Sequence, residues 1–221
     1  GVDRAEVVGM YDQLLLSEVW RRAADFDCVV HLGGRITSRR LQQFLEELCG
    51  AREATATYLH VAPHALRLDP GHLVRQRIVM EIADFAAAVQ VQPAPGKYAT
   101  IREEVQCLEQ WMDDWLERQE AVSEIAIARL VSALRPAGSV LYLGNSMPVR
   151  DMDMYAAAAG PPGPVHANRG ASGIDGNIAT AAGIATASTV PVTVVLGDLA
   201  ALHDLNSLAL LQQAQVPLVL I

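Results

Sequence analysis

Two short runs in the last third of the sequence carry residue types suited to binding chemistry. One is Val194-Val195-Leu196-Gly197-Asp198-Leu199, an apolar strand pattern that ends in Gly-Asp ahead of a helical pattern. This places the Asp198 carboxylate at the carboxyl end of a strand, where open α/β sheets bind their ligands. A carboxylate there suits a hard cation. Mg²⁺ takes one or two carboxylates together with substrate phosphates, so the expected guest is a metal-diphosphate group rather than a bare metal. The other run is Asn168-Arg169-Gly170-Ala171-Ser172-Gly173-Ile174-Asp175-Gly176, where glycines and a serine lie between a strand and a helix. Such a loop lets the backbone approach a ligand closely and turns N–H groups toward it. Each run also has an ordinary reading: Asp198 as a helix N-cap, Ile174 as a core residue, and the glycine loop as a plain turn.

The elements that must hold these runs follow from hydrophobic periodicity and from breakers. Val7, Val8, Tyr11, Leu14, Leu15 and Val19 fall at helical spacing, which predicts a helix over 4–24. A buried strand over 28–32 ends at Gly33-Gly34, and Thr37 or Ser38 is the expected N-cap of a helix over 39–49. A second strand covers 56–61, and a helix is expected over 74–89, after Asp69-Pro70-Gly71. Gln92-Pro93-Ala94-Pro95-Gly96 reads as a linker, followed by one long helix over 101–134. Trp111 and Trp115 share a face of that helix and are expected to be packing residues.

Beyond Arg135-Pro136-Ala137-Gly138 the order is strand 140–143, a helix with Pro148 in its first turn, strand 165–168, and a small-residue helix over 176–186. Strand 192–196, helix 202–213 and a strand from 218 complete it. The alternation predicts an α/β chain: a Rossmann-like central domain, in its later part, over 1–95, a helical connection over 96–135, and the first part of a second parallel-sheet domain over 136–221.

Composition narrows the function classes. A net charge of −8 argues against a nucleic-acid partner. Cys28, Cys49 and Cys107 form no Cys-x-x-Cys pair, so they predict neither a zinc site nor a disulfide framework, but reduced thiols that are mostly in the core. No apolar stretch reaches the roughly 18 uncharged residues of a membrane span, and the expectation is a soluble protein. The sequence starts at Gly1 without a leader and stops inside an apolar strand, which reads as a piece of a longer chain. No Gly-x-Ser-x-Gly elbow supports a hydrolase, and Pro63 between His60 and His64 disfavours a helical metal pair.

In this order and spacing the two runs resemble the diphosphate-binding domain of thiamine diphosphate enzymes. Gly144-Asn145-Ser146-Met147-Pro148-Val149-Arg150, the Asn168 to Gly176 run, and Gly197-Asp198-Leu199 with His203-Asp204-Leu205-Asn206 are similar to the SEPHCHC synthase family of menaquinone and phylloquinone biosynthesis. The likeness extends upstream to Leu32-Gly33-Gly34-Arg35-Ile36-Thr37-Ser38-Arg39-Arg40-Leu41 and Arg67-Leu68-Asp69-Pro70-Gly71-His72, and so covers most of the chain.

The resemblance implies thiamine diphosphate as cofactor, with Mg²⁺ or Mn²⁺ held by Asp198. Gly197, Leu199 and Ser146 would lie beside the cofactor and Ile174 beneath it as an apolar wedge, while Ser172 and Gly173 would face its aminopyrimidine through backbone atoms. It implies 2-oxoglutarate and isochorismate as substrates, their carboxylates met by Arg39, Arg40, Arg150 and Arg169, with Asn145 and Ser146 as polar contacts. Arg39 stands where relatives often carry Lys. The reaction implied is decarboxylation of 2-oxoglutarate and addition of the succinyl unit to isochorismate.

In the family the Glu that activates the cofactor and a second metal ligand, an Asn, lie in segments outside this sequence. The active site is shared across a dimer or tetramer, so this piece alone is expected to be inactive. Another thiamine diphosphate enzyme, a 2-oxoacid decarboxylase or acetolactate synthase relative, is the nearest alternative, although those read Gly-Asp-Gly at the metal. A non-catalytic metabolite-binding or scaffold domain is the other. Arg35-Ile36-Thr37-Ser38 and Met152-Asp153-Met154-Tyr155 look more like plant and algal forms, which work in the plastid stroma, than like bacterial cytoplasmic ones.

Overall fold

The computed structural model describes residues 7–24, 26–50, 56–90 and 99–221. The chain divides into two compact units, Tyr11–Val105 on one hand and Gln106–Ile221 with residues 7–10 on the other. The division falls within helix α5 (Ala99–Glu117). The 92–96 linker lies outside the described residues.

In the first unit the expected helix over 4–24 is two short ones, α1 (Tyr11–Leu14) and α2 (Glu18–Ala23). Ser17 breaks the run, because its side chain accepts a hydrogen bond from the Trp20 N–H and caps α2. Strand β1 (Cys28–Leu32) and helix α3 (Arg39–Cys49) have the expected bounds. Ser38 is the N-cap of α3: its Oγ accepts from the Leu41 N–H at 3.0 Å and donates to the buried Asp12 carboxylate.

Strand β2 (Thr57–Ala62) is parallel to β1 on one side and to β3 (Gln76–Val79) on the other. β3 corrects the expected helix over 74–89, of which only Ile82–Ala88 is helical, as α4. Val74, Ile78 and Val79 suit a strand, and Asp69 fixes the entry to it by accepting from the Leu73 and Val74 N–H groups at 3.0 and 2.9 Å. The core of this unit joins Leu45 and Cys49 of α3 to Ala56 and Tyr58. All three cysteines are free, and only Cys49 is buried; Cys28 and Cys107 are exposed, contrary to the expected core placement.

The long helix expected over 101–134 is also two. α5 ends at Glu117, and α6 (Glu124–Leu134) starts anew because the Ser123 side chain accepts from the Ala126 N–H. Trp111 and Trp115 are exposed by 60% and 37%, so they are not the packing residues that their spacing predicts.

The second unit holds strands β4 (Val140–Leu143), β5 (Val165–Ala167), β6 (Val192–Val195) and β7 (Leu218–Leu220), all parallel, in the order β5-β4-β6-β7. Its helices are α6, α7 (Met147–Tyr155), α8 (Asn177–Ala187) and α9 (Asp198–His203), with a 3₁₀ helix at Leu205–Gln213. The expected helix over 202–213 therefore starts four residues earlier and breaks at Asp204.

Val140, Tyr142, Val192 and Val194 face Ala181 and Ala185 of α8, whereas Leu141, Leu143 and Val195 face Ile127 and Val131 of α6 and Val149 and Met152 of α7. With both faces covered, the central strands are apolar but for Thr193, as expected of a parallel sheet. The alanines of α8 let it pack close to the sheet.

Helix α8 begins at Gly176, whose φ of +66° is left-handed and which offers no side-chain cap. Asp204 replaces it from a distance: one carboxylate oxygen accepts from the Ile178 and Ala179 N–H groups at 2.6 and 3.1 Å, and the other from Ser207 Oγ. Burial pushes the Asp204 carboxyl up, but the hydrogen bonds from Ser207, Ala179 and Ile178 outweigh it and hold it below the ordinary value.

Asp204→Ala is expected to cost about 1 kcal/mol, as for a lost helix cap. A lowered folded value means that the contribution is complete above the ordinary carboxylate pKa of about 3.9 and vanishes as pH falls through the lowered value. Thermal melts of both forms at neutral pH and in strong acid check this: the gap should close in acid, and a gap that persists there refutes the assignment.

Candidate functional site

The order β5-β4-β6-β7 reverses direction between β4 and β6: after β4 the chain goes to β5 on one side, then crosses to β6 on the other. Loops diverging from such a reversal leave a crevice at the carboxyl ends of the two strands, the general ligand position in open α/β sheets. The strand order β1-β2-β3 of the first unit has no such reversal among the described residues.

The crevice is a cavity of about 240 Å³. The loop after β4 contributes Asn145 and Ser146, the turn after β6 contributes Gly197, Asp198 and Leu199, and the glycine run contributes Ile174. Gly144 is required here by close approach, since a Cβ on it would lie 2.8 Å from Leu196 Cδ2 and 3.2 Å from the Val195 carbonyl oxygen. Ser146, at the N-cap of α7, has φ +74° and ψ −121°, a backbone state that a residue with a Cβ rarely adopts and that strained ligand-binding turns favour.

Asp198 is the first residue of α9, with Gly197 at the N-cap, so the ordinary reading of Asp198 as the cap does not apply. Its side chain is exposed, and one oxygen accepts from the Leu199 N–H at 2.8 Å. Among the described residues no three His, Cys, Asp or Glu side chains gather as a metal site. A metal at Asp198 would therefore need oxygens from a ligand. Those lining the cavity include three carboxylates, from Glu124, Asp151 and Asp198, and no Lys, Arg or His. A bare diphosphate would be repelled, whereas a metal-diphosphate fits this donor set.

Ile174 is 44% exposed, so it is not the core isoleucine of the ordinary reading. Two buried asparagines shape its loop. Asn145 Nδ2 donates to the Gly173 carbonyl at 2.9 Å, and its Oδ1 accepts from Arg169 Nη1 at 3.3 Å. Asn177 is fully buried; its Nδ2 donates to the Ile174 carbonyl at 2.9 Å, and its Oδ1 accepts from the Tyr142 hydroxyl at 3.0 Å.

The other expected site residues lie elsewhere. Ser172 is exposed and does not line the cavity, and the Gly173 carbonyl is already taken by Asn145. Arg150 is exposed on α7 outside the lining, and Arg169 reaches the cavity only through Asn145. Arg39 and Arg40 belong to the other unit, where Arg40 pairs with Asp12 and keeps 45% of its side chain exposed.

Sequence reasoning passed over Asn177, Glu124 and Asp151. No spacing in the sequence announces Asp151, which stands four residues after Met147 on α7, on the helix face that lines the cavity. Burial pushes its carboxyl up, the charge of Glu124 adds to this, and Arg150 offsets part of it.

Comparison with known proteins identifies the family of the chain. A family model described as the middle domain of thiamine pyrophosphate matches residues 3–143, well over half of the chain. The chain belongs to this family. It is also similar, at 42% identity over 95% of its length, to the 2-succinyl-5-enolpyruvyl-6-hydroxy-3-cyclohexene-1-carboxylate synthase of Rubrobacter xylanophilus, of which it spans 36%. The synthase of Salinibacter ruber is 35% identical over 98% of the chain and 36% of that relative. The chloroplastic protein PHYLLO of Arabidopsis thaliana is 33% identical over 91% of the chain and 13% of that relative. The resemblance drawn from the motifs is thus borne out. The chain spans about a third of the length of the synthases it matches. Among the described residues no helix is long and apolar enough to cross a membrane.

Proposed function

We propose that this chain supplies the metal-and-diphosphate side of a thiamine diphosphate site, and that the protein carrying it makes SEPHCHC from 2-oxoglutarate and isochorismate. The observation that carries the reading is that Asp198 and Ile174, assigned to the metal and to the wedge, line one cavity at the strand-order reversal. The names of the relatives favour the synthase over a decarboxylase or a scaffold. When bound, the cofactor supplies an electron sink for decarboxylation and carbon–carbon bond formation.

The chain's own residues bind and orient. Asp198 offers a carboxylate to Mg²⁺ at the start of α9, where a negative charge is favourable. Ile174 presents an apolar side chain from a backbone whose carbonyl accepts from Asn177, and Met147 and Met152 help to exclude water from the cavity. Arg150 and Arg169, with Arg39 and Arg40 of the other unit, are the guanidinium groups proposed for the substrate carboxylates, because their planar donors match carboxylates in pairs. The tie between Arg169 and Asn145 supports the placing of one of them at the cavity rim.

Thermal unfolding of the intact protein tests the cofactor reading. Thiamine diphosphate with Mg²⁺, at about a hundred times its Kd, should add about 2.7 kcal/mol of stability. The same ligand with a chelator should add nothing, since the cavity has no basic side chain to receive the phosphates. Equal stabilisation with and without metal refutes the role of Asp198.

A further inference from the structure

His31, His60 and Arg77 form one row across the sheet of the first unit, since they are register partners on the adjacent parallel strands β1, β2 and β3, and such partners point to the same face. The two histidine rings lie 4.7 Å apart, centroid to centroid. Each holds one carbonyl of the turn that follows β1: His31 Nε2 is 2.7 Å from the Gly34 oxygen, and His60 Nε2 is 2.9 Å from the Gly33 oxygen. The Gly33 N–H adds a third tie, to the Val61 carbonyl at 2.8 Å.

A carbonyl oxygen only accepts, so both Nε2 atoms carry protons and Nδ1 of a neutral His31 is bare. The Tyr58 hydroxyl, 3.0 Å away, donates to it. Tyr58 is buried and its pKa is pushed up to about 12, chiefly by burial, so the hydroxyl keeps its proton. A proton added to His31 Nδ1 sets N–H against O–H: the hydroxyl must turn its own proton into buried surroundings, and a cation comes to stand against the second ring. His31 is only partly buried, so the charged ring gains hydration by moving outward, which takes its Nε2–H off Gly34.

The groups around His31 leave the neutral ring favoured. Burial pushes its imidazole down; the Gly34 carbonyl and the Asp69 carboxylate oppose this, the charge of His60 adds to it, and the balance lies below the ordinary value. Helix α3, packed over Val29 and Tyr58, brings the buried Cys49 thiol, which burial holds neutral. Arg77 of β3 stands beyond His60 and donates to the Ala65 carbonyl, and Asp84 of α4 is exposed. A lowered folded value means that the contribution of the neutral pair is complete above the ordinary histidine pKa of about 6.5 and is lost as pH falls from there through the lowered value.

We propose that His31 and His60 are positioning residues for the Gly33-Gly34 turn, a latch that two neutral rings close and that opens on the Gly34 side when His31 takes up a proton. The turn leads into the Ser38 cap of α3 and so into Arg39 and Arg40. A consequence for substrate rests on the reading of those two arginines as carboxylate ligands; the latch itself does not.

Hydrogen exchange of residues 31–41 in the intact protein, followed by mass spectrometry and corrected for the intrinsic effect of pH, tests the latch. From about pH 7.5 to about pH 5 the corrected exchange of the unsubstituted protein should rise about fivefold, the worth of one lost hydrogen bond. His31→Gln, at a partly exposed position, keeps an N–H for the Gly34 carbonyl without a titrating ring, and its exchange should change less than about twofold. His60→Gln keeps a donor for Gly33 and removes the opposing ring, so its rise should begin at higher pH. No rise in the unsubstituted protein, or an equal rise in His31→Gln, overturns the latch; a rise in His60→Gln with an unmoved midpoint shows that the rings are uncoupled and overturns it too. KM for 2-oxoglutarate and isochorismate should rise over the same range in the unsubstituted protein and stay level in His31→Gln. Exchange that follows the pattern without this rise in KM upholds the latch and removes Arg39 and Arg40 from substrate binding.

Discussion

Asp198→Ala is expected to weaken metal-dependent thiamine diphosphate binding about 100-fold or more while costing less than about 1 kcal/mol of folding stability. The separation of the two effects follows from where the side chain sits. It is exposed, it accepts only the Leu199 N–H, and Gly197 rather than Asp198 is the cap of α9, so folding depends on it little. Binding depends on it strongly, because no other residue of the lining combines a carboxylate with a place at the carboxyl end of β6. Loss of a charged partner in a binding site costs about 2–5 kcal/mol, and about 1.4 kcal/mol is a factor of ten. Asp198→Asn keeps an oxygen but loses the charge, so it should fall between the two. Titration calorimetry over a series of Mg²⁺ concentrations reads this order. An alanine variant that still binds the cofactor in a metal-dependent way at the original affinity would show that the metal is held elsewhere.

The legibility of the site in the sequence had a clear physical limit. β1, α3 and β4 could be read to the residue because each is bounded by a local signal: Gly33-Gly34 after β1, the Ser38 cap before α3, and Gly144 after β4. β3 could not, because the apolar spacing of Val74 to Val89 fits a helix and the decision lies with β2, which pairs with it from a distance in sequence. The break between α5 and α6 was written in Ser123 but hidden in a charged run, where one continuous helix would set Glu120 against Glu124; in the structure Glu120 lies outside both helices.

The same division applies to the cavity. Its strand-end residues, Asn145, Ser146, Gly197 and Asp198, sit where a strand pattern meets a glycine or a polar turn, and such junctions are local. Glu124 and Asp151 reach the cavity because α6 and α7 cover the same face of the sheet, and no spacing within either helix states that packing. Arg39 and Arg40 show the converse. Their motif is visible in the sequence, but they belong to a different unit from the cavity, and Arg40 is paired with Asp12.

Asn177→Ala should be the most destabilising substitution near the site, by about 2–4 kcal/mol, and should also loosen the loop that presents Ile174. Asn177 is fully buried and satisfied on both sides of its amide, with the Tyr142 hydroxyl donating to its oxygen and the Ile174 carbonyl accepting from its nitrogen. Removing it takes an acceptor from the buried phenol and a donor from the Ile174 carbonyl at once. Burial pushes the Tyr142 pKa up, so that hydroxyl remains a neutral donor and cannot escape by ionising. Tyr142→Phe separates the two consequences. It removes the phenol but leaves the nitrogen of Asn177 on Ile174, so it should lower stability by about 1–2 kcal/mol and leave cofactor affinity nearly unchanged. The alanine variant should lose both. The double variant should lose less stability than the sum of the single ones, since the two residues share a hydrogen bond. Denaturant unfolding and cofactor titration on all three variants check the pattern. If Asn177→Ala and Tyr142→Phe leave the same affinity, the left-handed Gly176 and the bond from Asn145 to Gly173 suffice to shape the loop, and Asn177 serves the core alone.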